Sequence, residues 1–278
     1  MLPTIQIGSL VLPSFSTMML IAFIVGAVVA MSQLNYLCLK RSYAWEWLPW
    51  AAVSGVLGSK VYAYVTLIVV THRFPENFWN VGEVWYGGAI AGIGAIAWQF
   101  KRARLPLFIL FDFGAPVVAF GHAIGRIGCF LVGDDYGIPT NGPFRVLFPH
   151  SLPTANAAYM RSIGIEVPRS ISDSTLLAVY PTQLFEVAAL VLIGIWTFRE
   201  CRRPHRRWGV AADYAILYGV WRFFIEFIRV KEDHLWFGVT SSQYASVALI
   251  AIGVLLRMRS TVVDDGQGIR AATAETRI

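Results

Sequence analysis

Residues 215–230 read AILYGVWRFFIEFIRV. Tyr218, Arg222, Glu226 and Arg229 are spaced four, four and three apart, which stacks all four on one face of a helix. An amphipathic surface helix can show such a stripe, but the residues around it are Ile, Phe, Trp and Val. The stripe therefore points into a bundle interior or a wet cavity, because a charge inside an apolar segment is expensive unless it pairs inward or serves a site. Glu226 is placed to pair with Arg222 and Arg229. That leaves one net positive charge on the face, which suits a lipid phosphate.

The rest of the chain has the same character. Of 278 residues, 56% are hydrophobic and 14% charged, against about a quarter charged in a soluble domain. Mean hydropathy is +0.56. This composition excludes a soluble enzyme, a nucleic-acid reader and a disordered scaffold. A net charge of +6 would ordinarily point to an anionic partner, but the basic residues gather in short loops between apolar blocks. Three cysteines are too few and too scattered for a disulfide framework or a zinc site. The opening MLPTIQIGSLVLPSFST has neither a positive n-region nor a small-residue cleavage site, so it does not read as a removable signal peptide.

A bilayer crossing needs about 20 mostly apolar residues. Seven runs qualify, near 17–37, 47–70, 84–100, 105–125, 179–198, 209–229 and 238–257. The expected fold is an all-α integral membrane protein with seven transmembrane helices filling 1–260. Lys40 and Arg41, Lys101, Arg102 and Arg104, the arginines of 199–207, and Arg257 and Arg259 mark alternate loops as cytoplasmic. The N-terminus is then outside and the C-terminus inside. Residues 126–178 form the one long loop, rich in Gly and Pro, and read as an irregular segment or small extracytoplasmic cap; long ordered loops are usually functional. Residues 261–278 read as a disordered cytoplasmic tail. No internal repeat of transporter type is present.

Other polar residues stand where they are costly. In GHAIGRIGCFLVGDDYG, Gly125 and Gly128 flank Arg126, a side chain whose planar fork stays charged when buried and takes phosphate in two-pronged fashion. His122 lies one turn before it if the helix continues that far. Asp134 and Asp135 form either a solvated turn or partners of Arg126. YPTQLFE places Gln183 and Glu186 on one face, with Pro181 at a helix start. Lys60 lies deep in the second run, where it either snorkels or pairs with a carboxylate or a lipid phosphate. Gly87 and Gly88 in YGGAIAGIGAIA would admit a neighbouring backbone or a lipid. A bundle with two arginine-bearing faces near one end should bind an anionic lipid head group. Zinc-hydrolase, phosphate-loop and nucleophile-elbow motifs are absent, so neither metal nor cofactor is expected.

These residues also resemble a family. HAIGRIGCFLVGDDYG is similar to the G-R-x-G-N-F-x-N-x-E-x-x-G signature of the bacterial phosphatidylglycerol–prolipoprotein diacylglyceryl transferases. IGSLVLPSFSTMMLIAFIVG resembles that family's first segment, VWYGGAIAGIGA its H-G-G-L-I-G stretch, YPTQLFE its H-P-S-Q-L-Y-E, and YGVWRFFIEFIR its Y-G-x-x-R-F-x-x-E-x-x-R. The resemblance covers nearly the whole chain. It implies transfer of the diacylglyceryl group of phosphatidylglycerol to the lipobox cysteine thiol of preprolipoproteins, at the bacterial inner membrane. The partners are then phosphatidylglycerol, preprolipoprotein signal peptides and the bilayer.

By the same resemblance, Arg126, Arg222, Tyr218, Tyr86 and His122 are the catalytic candidates. Lys60, Gly87, Gly88, Cys129, Asp134, Gly137, Gln183, Glu186, Glu226 and Arg229, with Arg126, are the substrate-binding ones. The sequence departs from the pattern at several of these. The family's histidine before the Gly-Gly pair is Tyr86, a poorer base at neutral pH, and His122 is the candidate replacement. Cys129 and Val132 stand for two asparagines, Asp134 for a glutamate, Tyr180 for a histidine, Phe15 for a tyrosine and Lys60 for an arginine. The arginines are kept while hydrogen-bonding groups are lost. Two further readings follow from that: a paralogue with another acceptor, and a non-catalytic anionic-lipid- or lipoprotein-binding protein.

Overall fold

The computed structural model describes residues 2–75, 77–81, 84–231, 238–260 and 263–264. A hairpin opens the chain, β1 (Thr4–Ile7) paired antiparallel with β2 (Leu10–Pro13). It is a departure from an all-helical expectation, and it precedes the first apolar run. Among the described residues seven long helices follow: α1 (Ser14–Tyr36), α2 (Ser42–Thr71), α3 (Trp85–Arg102), α4 (Leu107–Val132), α6 (Thr182–Glu200), α7 (Gly209–Ile225) and α8 (Ser241–Arg259), with the short α5 (Ala157–Ser162) between α4 and α6. Each of the seven coincides with one apolar run.

Five of them, α1, α2, α4, α6 and α8, are long and apolar enough to cross a membrane. Of the other two, α3 has 18 residues and α7 has 17, near the lower end of what spans hydrocarbon. Large apolar side chains stand exposed around the bundle, among them Leu20, Ile24, Val61, Val65, Leu192 and Phe224. Helices apolar on every side need an apolar solvent. The protein is a mostly helical membrane protein.

Helix α4 is the axis of the bundle, packing against α1, α6, α7 and α3, while α7 packs on α8 and α2 packs mainly on α3. The α2–α3 contact is made by glycines. A Cβ on Gly87 would collide with the Gly58 carbonyl, and one on Gly88 would lie 2.9 Å from the Gly55 carbonyl oxygen. Backbone, not lipid, fills that space.

At one end Leu37, Trp47, Phe100, Phe108, Ile109 and Phe113 form a buried cluster. There Asp112 of α4, fully buried, caps α7 from outside: its carboxylate oxygens accept from the Trp208 N–H (2.7 Å) and the Ala211 N–H (2.9 Å). Two of the orphan amides of that helix start are thereby satisfied.

At the other end α4 runs seven residues past its expected stop, ending where Gly133 adopts φ +77 and its N–H returns to the Cys129 carbonyl, a left-handed C-cap. Arg126 is thus a helix residue, and the intervening segment begins at Gly133. That segment is a folded cap with its own core of Tyr136, Phe148, Ala155, Met160 and Val179. Arg161 ties it together, donating to the carbonyls of Val167, Pro168 and Ile171 and pairing with Asp173. The tail expected from 261 lies outside the described residues except for β4 (Val263–Asp264), which pairs with β3 (His205–Arg206).

Candidate functional site

The cap end of the bundle gathers charge. Arg126, on the last turns of α4, sits with Nε 2.9 Å from Glu186 Oε2 and Nη1 2.5 Å from Asp135 Oδ2. Glu186, on the first turns of α6, is 1% exposed and also accepts from the Tyr218 hydroxyl at 3.2 Å. His122, one turn before Arg126, has Nε2 3.8 Å from Glu186 Oε1 and its ring edge-on to Tyr218, centroids 5.3 Å apart. Helices α4, α6 and α7 thus meet on one carboxylate.

A second carboxylate, Glu226, 2% exposed, collects the remaining cations. Arg222 Nη1 lies 2.5 Å from it, Arg229 3.4 Å and Lys231 3.7 Å, and the Thr240 hydroxyl donates to it at 3.1 Å. Glu226 therefore does pair with both arginines of its stripe. The stripe is not one straight helix, however. Helix α7 stops at Ile225, a single 3₁₀ turn covers Glu226–Ile228, and Arg229 is extended, bridged to Gly137 of the cap. Thr240 also caps α8 reciprocally with Gln243, and Ser242 accepts from Arg222 at 3.0 Å. Lys231, Thr240 and Ser242 escaped the sequence reading; the T-x-x-Q capping signature at the start of the last apolar run was the available signal for the latter two.

The loop 133–137 closes the gap between the two glutamates. Asp135 pairs with Arg126 on one oxygen and with Arg229 on the other, so of the two candidate acids it is Asp135, not Asp134, that engages arginine. Water-stripping surroundings push the Asp135 carboxyl up, but Arg229 and Arg126 outweigh them and hold it below the usual carboxylate range. For Asp134, burial and the neighbouring Asp135 charge push the carboxyl up, and its Oδ1 finds no hydrogen-bond partner among the described residues. The loop is held from α6: the Thr182 hydroxyl donates to the Asp135 carbonyl (2.7 Å), Gln183 Nε2 to the Asp134 carbonyl (2.5 Å). Gly137 donates to the Tyr180 carbonyl (2.8 Å), and a Cβ there would sit 2.6 Å from the Ile228 carbonyl oxygen. Cys129 Sγ and the carboxylates of Asp134 and Asp135 lie within 4.8 Å of one another. Arg126 reaches both Cys129 (3.7 Å) and Asp135, so a guanidinium stands where that donor set would hold a cation.

A cleft of about 340 Å³ opens beside the cluster, between Tyr136, Leu152, Pro153 and Tyr159 of the cap and Arg229, Lys231 and Ser242. A second, larger cleft at the end of α2, lined by Leu67, Thr71, Arg73, Phe74 and Pro75, has none of these groups.

Not every candidate joins the cluster. Lys60 donates to the Trp79 and Val81 carbonyls at 3.2 Å each. Gly87 and Gly88 are spent on the α2 contact. Gly128 faces Met18 and Phe15 of α1 at 3.2 and 3.3 Å from a notional Cβ, so it serves helix packing rather than a ligand of Arg126. The backbone of Tyr86 opens α3, while its side chain lies outside the described residues.

The family described as prolipoprotein diacylglyceryl transferase matches residues 3–259. The chain belongs to that family. It is 33% identical over 226 residues to the phosphatidylglycerol–prolipoprotein diacylglyceryl transferase of Xylella fastidiosa (strain 9a5c), covering 74% of each chain. It is 33% identical over 214 residues to the protein of that name from Xanthomonas euvesicatoria pv. vesicatoria (strain 85-10), covering 72% of this chain and 70% of the relative. Its Arg126, Arg222 and Arg229 stand at the convergence of α4, α7 and the cap.

Proposed function

We propose that this protein transfers the diacylglyceryl group of phosphatidylglycerol to the lipobox cysteine thiol of preprolipoproteins. The observation that carries the reading is the convergence of Arg126, Arg222 and Arg229 beside an open cleft at one end of the bundle. In a chain of this family, that is a site for an anionic head group held at the membrane boundary.

The reaction forms a bond from the cysteine sulfur to the glyceryl carbon and breaks the bond from that carbon to the phosphate oxygen. Glycerol phosphate leaves with the electron pair. Arg126, Arg222 and Arg229 hold the phosphate and take up charge that grows on it as the bond breaks. Glu186 and Glu226 fix the directions of those guanidiniums, and Tyr218, hydrogen-bonded to Glu186, braces the same carboxylate. Cys129, Asp134, Gly137 and Gln183 shape the floor beneath them. The thiolate is the nucleophile, so its proton must go to a base. His122 takes that role, since it borders Arg126 and Glu186 while the family's histidine position is Tyr86.

Seven crossings, an outside N-terminus and a cytoplasmic C-terminus fit the arginine-rich loops at the end opposite the cap. They place the cluster at the outer leaflet of the bacterial cytoplasmic membrane, where signal peptides of exported precursors emerge. The test uses purified protein in maltoside micelles with phosphatidylglycerol and a lipobox peptide. Mass spectrometry should find a diacylglyceryl thioether on the peptide, and Arg126→Ala should abolish it. Full activity in that variant would overturn the reading.

A further inference from the structure

We infer that the Asp135 carboxylate occupies the place of the lipid phosphate between Arg126 and Arg229, and that the phosphodiester binds by displacing it. The inference rests on the proposed function and adds a residue that sets how tightly the anionic substrate is held.

The geometry is that of a bridging anion. One carboxylate oxygen takes Arg126 of α4 and the other takes Arg229 beyond α7. A phosphodiester likewise presents two charged oxygens on one atom, the arrangement guanidinium forks are suited to receive. Exposure separates Asp135 from the other acids of the cluster. Its side chain is 41% exposed, against 2% for Glu186 and 3% for Glu226, and it lines the open cleft while Glu186 does not. The two glutamates are fixed in helical turns and hold Tyr218 and Thr240 as well. Asp135 has no such second duty for its carboxylate in the hydrogen bonds and ion pairs described.

Displacement needs no movement of the loop. The main chain at 134–137 is pinned by Thr182, Gln183 and Tyr180, so rotation of one side chain clears the clamp. Asp135 already holds φ +59, a left-handed conformation that Asp, Asn and Gly accept more readily than other residues. Within the clamp one monoanion replaces another, so the guanidiniums stay paired, and the displaced carboxylate turns to the open cleft that Asp135 lines. An internal competitor weakens the apparent affinity by the fraction of time it leaves the clamp free.

The experiment compares wild type, Asp135→Asn, Asp135→Gly and Asp135→Glu as full-length proteins in maltoside micelles. Two readouts are taken, equilibrium binding of fluorescent phosphatidylglycerol, and KM and kcat for transfer to a lipobox peptide. Asn and Gly suit the backbone and remove the competing charge, so both should tighten binding and lower KM by about tenfold. Asp135→Glu keeps a carboxylate on a backbone that suits it less, so the folded variant should not tighten binding. Glycine supplies the result if the asparagine variant does not fold. Binding that is unchanged or weaker in folded Asn and Gly variants overturns the inference, whether or not transfer occurs. Tighter binding with no transfer by any form upholds it and overturns the proposed function instead. Absence of binding by all forms overturns both.

Discussion

Arg126 and Glu186 form an ion pair between α4 and α6, Nε to Oε2 at 2.9 Å, with the carboxylate 1% exposed. The pair does more than hold two helices together. It turns the guanidinium so that Nη1 faces Asp135 and the cleft side of the cluster. Arg126→Lys keeps the charge and loses the fork, so it cannot serve Glu186 and an anion together. Transfer to a lipobox peptide should fall by about a hundredfold or more, with the amount of folded, membrane-inserted protein unchanged on a size-exclusion profile. Near wild-type transfer by the lysine variant would remove the two-pronged role.

Glu226 is the hub for Arg222, Arg229, Lys231 and Thr240. Removing one partner from a buried pair costs about 3–5 kcal/mol, because the other charge is left uncompensated. Glu226→Gln should therefore lower the melting temperature in micelles sharply, and Lys231→Met should restore part of the loss by removing one of the stranded cations. A glutamine variant as stable as wild type would show that the hub is not strained by its surplus of positive charge.

Asp134 and Asp135 are neighbours whose carboxyls are pushed in opposite directions. The folded value of Asp135 lies below its unfolded value, near 3.9, so its contribution to stability is present above that value and lost as pH falls through the folded one. The folded value of Asp134 is raised, so its contribution is present below the unfolded value and lost as pH rises through the folded one. At pH 7, Asp135→Asn should lower the melting temperature and Asp134→Asn should raise it. The Asp134 difference should vanish as the pH falls to about 4, whereas the Asp135 difference should shrink only below that. Two variants that shift the melting temperature in the same direction at pH 7 would contradict this.

The α2–α3 seam gives a test free of the charge cluster. Gly87→Ala puts a methyl group into the Gly58 carbonyl, whereas a Cβ on Gly94 meets nothing within 4 Å. The first should deplete folded protein in detergent extracts, and the second should leave the yield at the wild-type level. Equal yields would mean that the helices separate at little cost.

The sequence disclosed the seven helices because each apolar run is long and its ends carry Lys, Arg, Gly or Pro. It disclosed the charge cluster because Arg126, Arg222, Glu186 and Glu226 stand among residues that cannot solvate them. It did not disclose which acid would meet which arginine. Asp134 occupies the signature's acidic position, but the left-handed turn at Gly133 and Asp135 swings the second aspartate to the guanidiniums. Nor could spacing place Arg229, since the helix it seemed to continue ends four residues earlier. Gly87 and Gly88 left a related choice open, and packing settles it on the Gly58 and Gly55 backbone. A polar or small residue in an apolar run has two outlets, ligand or neighbouring backbone, and only packing decides between them.

The Asp112 cap on α7 has a reach beyond the amides it satisfies. A helix is a stiff rod in which each residue turns the next by about 100° and advances it about 1.5 Å. Clamping the Trp208 and Ala211 amides to Asp112 therefore sets the angular phase of Arg222, eleven residues and roughly 16 Å further along. A slip of a single residue at the clamp would turn that guanidinium by about 100°, away from Ser242 of α8. The aim of an arginine at one end of the bundle is thus held by a carboxylate near the other.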